Sequence, residues 1–327
     1  MTRTHRHRVV VTGGAGLIGS HLCDWLLDRE SRVVCVDNLS TGTVSNIAHL
    51  RGRPDFEFVE ADVIRPLAIT GTVDLVYHLA APAAPTHYRR FPVQTLEAGS
   101  LGTRNALRLA WANGARFVLV SAGGVYGDPQ HAPQSESYWG NVNPVGPRSA
   151  HDEAMRYSEA LTMAHRHSRH TDTAIARVFG CYGPRMRPDD GRAVPTFITQ
   201  ALAGQAITVS GDGSQTRSLC HVDDVVAALL ALADSDLAGP VNIGSPAELS
   251  MAHLAERVRA LAQSASPITF VERPPEDPQS RRPDISLAAE RLGWSPQVSL
   301  DNGLHRTITW FEIQAGPKPA PPVAALF

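Results

Sequence analysis

The start of the chain changes from one hydrophobic pattern to another at a run of glycines. Residues 8–12 form a β-branched run that is typical of a strand, and in SHLCDWLLDRE the apolar residues recur at helical spacing. The segment GGAGLIG lies between the two. A second β-rich run, Arg32 to Asp37, ends on an acidic residue. The pattern therefore predicts a strand, a glycine turn, a helix and a second strand.

Further β-rich runs alternate with helical segments as far as about residue 180. They are Phe56 to Val59, Leu75 to Leu79, Phe117 to Ser121 and Thr173 to Val178. Such alternation predicts an α/β fold of the Rossmann type, a doubly wound parallel sheet with helices on both faces. We expect residues 1–180 to form this domain, with part of the later chain returning to it.

The alternation weakens after residue 180, where GCYGPRMRPDDGRAVP opens a region rich in loops. Short helices are predicted at Thr196 to Ala203, Val222 to Leu232 and Met251 to Ala262. We expect residues 181–314 to form mainly a smaller substrate-binding lobe. Residues 315–327 are rich in proline and alanine and lack periodicity, so they are predicted to be a flexible tail.

Composition excludes several classes of protein. The net charge of −2 lacks the basic excess that binding of nucleic acid or of a membrane surface requires, and no stretch has the length and apolarity of a membrane span. The four cysteines lie far apart without a CxxC pair, which argues against a zinc site and a disulfide framework. We therefore expect a cytoplasmic protein with reduced thiols, no metal, no nucleic-acid partner and no membrane.

A dinucleotide site is predicted where the first strand meets the first helix. Gly13, Gly16 and Gly19 form a GxxGxxG pattern there, which lets the backbone and the free N–H groups at the helix start approach a pyrophosphate. Asp37 ends the second strand, where a carboxylate accepts hydrogen bonds from the ribose hydroxyls and repels a 2′-phosphate. This pattern favours NAD over NADP.

Residues that follow the next strands complete the predicted cofactor channel. Asp62 and Val63 come after the third strand, where a carboxylate suits the edge of an adenine ring. Leu79, Ala80 and Ala81 follow the fourth strand and are small enough to line the channel.

With these pieces in place, the chain resembles the extended short-chain dehydrogenase/reductases that act on nucleotide sugars, and within them the UDP-glucuronate decarboxylases. The resemblance runs through TGGAGLIGSHL, DNLSTG, YHLAAPAAP, VYGDP, YWGNVNPVGPRSAHDE, GPRM, DGR, GSQTRSLCHVDD, RRPDI and LGWSP. It implies an NAD cofactor, a nucleotide-sugar substrate such as a UDP-sugar, and a dimer. It adds to the cofactor site Leu17, Ile18, Asn38, Ser40, Thr41, Gly42 and Ser100.

The resemblance also implies a substrate site rich in arginine. Arg185 and Arg192 are expected to border the nucleotide-sugar cleft together with Pro82, Arg217 to contact the phosphates, and Arg282 to reach the sugar end. Arginine suits this role because its planar guanidinium binds diphosphates and carboxylates through two parallel hydrogen bonds.

The sequence departs from this family at the expected centre of catalysis. The family oxidises a sugar hydroxyl with a Tyr-x-x-x-Lys pair, and here the two positions hold His151 and Met155. A Thr-Ser-Glu run is replaced by residues 122–124, Ala-Gly-Gly, and an expected asparagine by Gly180. The only lysine of the chain, Lys318, lies in the tail. Small or apolar residues have replaced polar ones, so we expect a roomier and drier pocket.

Three interpretations of these changes remain open. In the first, the chain is an NAD-dependent enzyme acting at C4 of a UDP-glucuronate-like nucleotide sugar by an atypical mechanism, with His151 as the base and Arg282 near the sugar carboxylate. In the second, it is an enzyme in which NAD is only structural or transiently used and which acts on a different or larger nucleotide sugar. In the third, it is a non-catalytic or repurposed paralogue that binds NAD and nucleotide sugar and pairs with an active homologue. We expect a homodimer, or a heterodimer with such a homologue, joined by the helices that carry Asn105 to Trp111 and His151 to Met163.

Overall fold

The computed structural model of the chain describes residues 7–275 and 277–315. Its strands are β1 Arg8–Thr12, β2 Arg32–Asp37, β3 Phe56–Glu60, β4 Leu75–His78, β5 Arg116–Ala122, β6 Thr173–Val178, β7 Gly180–Tyr182, β8 Ile207–Ser210, β9 Thr216–His221, β10 Pro240–Ile243, β11 Glu248–Ser250 and β12 Ile268–Val271. Its α-helices are α1 Leu17–Asp28, α2 Pro85–Arg90, α3 Pro92–Glu97, α4 Thr103–Asn113, α5 Ser149–Arg169, α6 Ala193–Leu202, α7 Val222–Asp234, α8 Met251–Leu261, α9 Ser286–Leu292 and α10 Leu300–Ala315.

A parallel sheet of seven strands forms the centre of the first lobe. Its order is β10-β6-β5-β4-β1-β2-β3, and every neighbouring pair is parallel. The order reverses between β4, β1 and β2, which leaves a crevice at the carboxyl ends of these strands. The predicted α/β fold with a doubly wound parallel sheet is confirmed.

Helices cover both faces of this sheet, which explains the continuous apolar runs of its strands. Val9 packs on one face with α1 and α7, whereas its neighbour Val10 packs on the other with α4. Both valines are fully buried. Successive side chains of a strand point to opposite faces, so a strand buried on both sides needs apolar residues at every position.

A second hydrophobic core lies in the later part of the chain. Residues of α6, α8 and α10 pack together around Ile207 and Val209 of β8, and β8 pairs with β12. A three-stranded sheet, β11-β9-β7, lies beside it. Not all of the later chain belongs to this lobe, because α7 packs on α1 and β10 pairs with β6 in the first sheet.

Several features bear on the remaining sequence predictions. The predicted strand at Phe117 to Ser121 extends by one residue at each end, and the helix predicted from Thr196 begins at Ala193. The four cysteines are free and buried. Among residues 7–275 and 277–315, no helix is long and apolar enough to cross a membrane. The predicted flexible tail, apart from Ala315, and Lys318 lie outside the described residues.

Candidate active site

A cavity of about 1240 Å³ opens at the carboxyl ends of the parallel strands and is lined by both lobes. The first lobe contributes Gly13 after β1 and Asp37 at the end of β2, and the second contributes Arg217 of β9. A single small-molecule pocket in a protein measures about 300–1,000 Å³. The cavity therefore has room for more than one ligand.

The glycine turn borders this cavity and has no room for a side chain at two of its positions. Gly13 has a φ of +73°, and a Cβ placed on it would lie 2.8 Å from the carbonyl carbon of Leu79. A Cβ on Gly19 would lie 2.2 Å from the carbonyl oxygen of Gly13. No Cβ fits at either position, so the turn and the start of α1 form the close backbone cradle that a pyrophosphate requires.

Asp37 is held beside the cradle by the backbone. Its carboxylate accepts hydrogen bonds from the N–H of Ala15 at 3.0 Å and of Leu39 at 2.8 Å. Burial raises the pKa of Asp37, and these two hydrogen bonds oppose the rise. Gly42 lies directly against the carboxylate, since a Cβ there would be 2.9 Å from both of its oxygens. The side chain is thus fixed where a ribose would meet it.

The predicted adenine end of the channel is also ordered by side-chain hydrogen bonds. The amide of Asn38 donates to the Asp62 carboxylate at 3.1 Å, and the backbone N–H of Ile64 donates to the other oxygen at 3.1 Å. All of the predicted cofactor residues line the cavity except Gly42 and Ser100. Ser100 lies away from it because its hydroxyl donates to the Leu96 carbonyl at 2.6 Å within the helical segment.

Three of the four predicted substrate arginines line the same cavity, together with Pro82. Each is paired with a carboxylate: Arg185 with Asp24 at 2.7 Å, Arg192 with Asp190 at 2.7 Å, and Arg217 with Asp277.

The fourth, Arg282, does not line the cavity. Its guanidinium lies 3.3 Å from Glu248, and its backbone N–H donates to the side chain of Gln134 at 2.9 Å. The adjacent Arg281 lines the cavity instead. Neighbouring residues of an extended segment point in opposite directions, so a shift of one position exchanges the two side chains. The sequence RRPDI indicated an arginine at this end of the cavity but did not show which of Arg281 and Arg282 faces it.

Arg281 is a half-buried cation on the cavity wall. Its Nη2 donates to the Gly127 carbonyl at 3.0 Å, while its buried Nε lacks a hydrogen-bond partner in the described part of the chain. Burial and the charges of Arg148 and Arg217 lower the pKa of Arg281 to about 10, against the opposing effect of Asp152 and Tyr88. A guanidinium on a cavity wall with an unused donor suits an anionic ligand group.

His151 lies on α5 at the edge of the cavity and is 5% exposed. Its Nδ1 is 2.9 Å from Oδ1 of Asp152, and its ring centroid is 5.2 Å from that of Tyr88. Arg148 joins these groups, because its Nη1 donates to the Tyr88 hydroxyl at 3.0 Å and its Nε lies 3.5 Å from Oδ2 of Asp152.

The protonation state of Asp152 decides how the imidazole is oriented. Burial raises the pKa of Asp152, but the hydrogen bond from His151 and the charges of Arg148 and Arg281 outweigh it and hold this pKa below its usual value. An ionised carboxylate only accepts hydrogen bonds, so Nδ1 carries the hydrogen. In the uncharged form of the ring the lone pair is then on Nε2, which makes no hydrogen bond with any residue that the structure describes.

The absent side chains of the segment 122–124 have not left a corresponding void. A Cβ on Gly124 would lie 2.6 Å from Oδ1 of Asp152 and 2.9 Å from Cε1 of His151, and one on Gly123 would lie 3.1 Å from the ring of Phe179. At Gly180 the Ser218 carbonyl oxygen is 2.7 Å from the Cβ position. At these three positions neighbouring groups occupy the space next to the glycine, and the expectation of a roomier pocket stays a prediction.

Comparison with known proteins places this arrangement in a family. Residues 9–244 match the NAD dependent epimerase/dehydratase family. The chain belongs to this family. UDP-glucuronic acid decarboxylase 6 of Arabidopsis thaliana is 48% identical over 310 residues, which cover 94% of the chain and 90% of that protein. NAD is the cofactor of the family, as the sequence predicts.

Solved structures of epimerases and dehydratases share the fold. UDP-glucuronic acid 4-epimerase from Bacillus cereus, in complex with UDP-glucuronic acid and NAD, aligns with a TM-score of 0.83 and 28% identity over 93% of this chain and 98% of its own. DesIV, a dTDP-glucose 4,6-dehydratase from Streptomyces venezuelae with NAD and TYD bound, aligns with a TM-score of 0.85 and 28% identity over 93% and 96%. The glycine cradle and Asp37 fit the cofactor that both structures contain.

Proposed function

We propose that this member of the epimerase/dehydratase family binds NAD and a UDP-glucuronate-like nucleotide sugar and acts at C4 of the sugar with His151 as general base. Relatives named as UDP-glucuronic acid decarboxylases and a structural neighbour holding UDP-glucuronic acid support the substrate class. The observation that carries the proposal is the hydrogen bond from His151 Nδ1 to Asp152, at the edge of the cavity that the glycine cradle lines.

The chemistry assigned to the chain is removal of a hydroxyl proton. When bound, NAD supplies the acceptor for a hydride from C4, and the glycine cradle and Asp37 would hold it. Nε2 of His151 takes the proton of the C4 hydroxyl, and the Asp152 carboxylate stabilises the imidazolium that forms. A neutral imidazole works as a base near pH 7 without a neighbouring lysine to activate it.

The arginines divide between the two ends of the substrate. Arg217, Arg185 and Arg192 are assigned to the diphosphate and nucleotide end. Arg281 is assigned to the sugar carboxylate in place of Arg282, because Arg281 lines the cavity and Arg282 does not. Whether decarboxylation or epimerisation follows depends on the 4-keto sugar acid and its orientation.

A non-catalytic binding protein that pairs with an active homologue is the second candidate. It is favoured by Met155, which stands at the expected lysine position and is buried against Val125 and Phe179. A thioether at this position has no charge to offer a nicotinamide ribose. In this case the hydrogen bond between His151 and Asp152 would only satisfy two buried polar side chains of α5.

Absorbance of the purified protein loaded with NAD separates the two candidates. On addition of UDP-glucuronate, the enzyme proposal expects a rise in the NADH band that His151→Ala removes. His167→Ala is the matched control, because His167 is an exposed histidine on the same helix. Tight binding of UDP-glucuronate with no rise in the NADH band would support the second candidate and overturn the first.

A further inference from the structure

Gly124 lies directly beneath the side chains of His151 and Asp152. A Cβ added to it would be 2.6 Å from Oδ1 of Asp152 and 3.0 Å from Nδ1 of His151, the two atoms that share the hydrogen bond. Both separations are at or below the closest approach of ordinary Cβ contacts. A side chain at position 124 would therefore force Oδ1 of Asp152 or the His151 ring away from its present position.

We propose that Asp152 is the positioning residue for His151 and that the absence of a side chain at Gly124 is the steric condition for their hydrogen bond. The proposal rests on His151 being the base under the proposed function. It also states which imidazole nitrogen carries the hydrogen. This can be measured whether or not the protein turns over a substrate.

The pairing needs an unusual direction of both side chains. Residues 151 and 152 are adjacent on α5, and adjacent side chains of a helix point about 100° apart. They meet only if both lean toward the same neighbour, and Gly124 is the neighbour that they contact together. The backbone of Gly124 is itself fixed, because it lies in the short helical turn Gly123–Tyr126 and its carbonyl accepts from the N–H of Gly127 at 2.9 Å.

The groups around the pair restrict it further. Directly before α5, Arg148 lies four residues ahead of Asp152, with its Nε 3.5 Å from Oδ2. From α2, the ring of Tyr88 lies against the imidazole at a tilt of 33°, and its hydroxyl accepts a hydrogen bond from Arg148. From the segment before α9, Arg281 adds positive charge near Asp152. These charges keep Asp152 an anion, so its oxygen is an acceptor and the hydrogen stays on Nδ1.

The consequence for the base is the choice of tautomer. With Nδ1 protonated, the lone pair is on Nε2, the nitrogen that is free to accept a substrate proton. In a carboxylate–histidine pair, replacing the carboxylate by an amide leaves the shape of that side chain nearly unchanged. The amide group, however, allows the tautomer in which Nε2 of the histidine carries the hydrogen. Asp152→Asn therefore tests positioning with little change in packing.

The experiment is ¹⁵N NMR of protein labelled at histidine, without substrate, at a pH where the ring is neutral. The chain has 14 histidines, so the His151 signals are identified as those that His151→Gln removes. In the wild type we expect a protonated Nδ1 and an unprotonated Nε2. Asp152→Asn and Gly124→Ala should both shift the population toward the Nε2-protonated form.

Gly123→Ala is the matched control. It adds the same methyl group one residue away, where the contact is the ring of Phe179 at 3.1 Å and not His151. The His151 tautomer should be unchanged in this variant. If Gly124→Ala does not fold, as judged by circular dichroism and NAD binding, the isosteric Asp152→Asn decides the question alone.

The outcomes separate the positioning from the proposed function. A protonated Nε2 in the wild type, or a tautomer that Asp152→Asn leaves unchanged, overturns the positioning. If the tautomers behave as expected but UDP-glucuronate yields no NADH, the positioning stands and the enzyme proposal fails. If activity is present, Asp152→Asn should lower it by about 10²-fold or more, the contribution of a general base, whereas a purely structural role would leave the tautomer unmoved.

Discussion

The imidazole of His151 lies in the space where a side chain on Gly124 would begin, with Cε1 2.9 Å from that Cβ position. The two departures from the family pattern, a histidine at position 151 and a glycine at position 124, are therefore physically coupled. A chain with a large residue at position 124 could not hold the imidazole in this orientation. The replacements at positions 124 and 151 are therefore packed against each other.

Asp37 should make the protein prefer NAD to NADP. A carboxylate fixed by the N–H groups of Ala15 and Leu39 cannot move away from a 2′-phosphate, and the two like charges repel. Asp37→Asn should reduce the ratio of the NADP and NAD dissociation constants by about tenfold, or about 1.4 kcal/mol. Isothermal titration with each cofactor measures this ratio.

Asp62→Asn is the control for cofactor preference. Asp62 lies at the predicted adenine end, which the two cofactors share, so its loss should weaken both alike. Equal affinities of the wild-type protein for NAD and NADP would show that Asp37 is not at the ribose.

Acidification should destabilise the fold through buried neutral histidines. Burial lowers the pKa of His78 to about 4, and burial with the charge of Arg185 lowers that of His21 to about 4. The unfolded chain takes up these protons below about pH 6.5. Stability is therefore complete above this pH and falls as the pH drops toward 4.

Between about pH 7 and pH 5.5, each such histidine should lower the free energy of unfolding by about 1 kcal/mol. Urea unfolding at the two pH values measures it, and His78→Gln should make the difference between them smaller by about that amount. His167→Gln, which replaces an exposed histidine, should not. A free energy of unfolding that is equal at both pH values in the wild type would contradict the assignment.

The sequence predicted the sheet well because its strands are buried on both faces and their apolar runs are local signals. It did not delimit β10, whose four residues Pro240–Ile243 become a strand only by pairing with β6. It also chose Arg282 over Arg281, since the direction of each side chain depends on the pairing of Pro283 with Gln134. The contact of Gly124 with His151 joins residues far apart in sequence, so no local pattern could reveal it.

A dimer through α4 and α5 remains a prediction. Most apolar residues of these helices face their own core, but Trp111 and Tyr157 are 48% and 51% exposed. Large exposed aromatic side chains on neighbouring helices favour a contact with a second chain. Sedimentation at micromolar concentration should show a dimer, and Trp111→Glu should shift it toward monomer.

Trp139→Glu is the control for the dimer. Trp139 is 89% exposed but lies on the loop before α5, outside the two helices. Its replacement should leave the sedimentation coefficient unchanged. A wild-type monomer would refute the predicted interface.

Turnover of UDP-glucuronate should be very slow, while binding of UDP or a UDP-sugar should persist. Loss of the Tyr-x-x-x-Lys pair removes general-base catalysis worth about 10²- to 10⁴-fold, and His151 recovers only part of it without the charge that a lysine would give at position 155. The cavity arginines are retained, so binding does not depend on this loss.

Arg217→Ala should weaken UDP binding at least about tenfold, because it removes charge-assisted hydrogen bonds. Arg257→Ala, at an exposed arginine of α8 paired with Asp301, should leave binding unchanged. Conversion of UDP-glucuronate to a pentose product at about 1 per second or faster, the ordinary enzyme range, would show that the pocket works by groups other than those assigned to it.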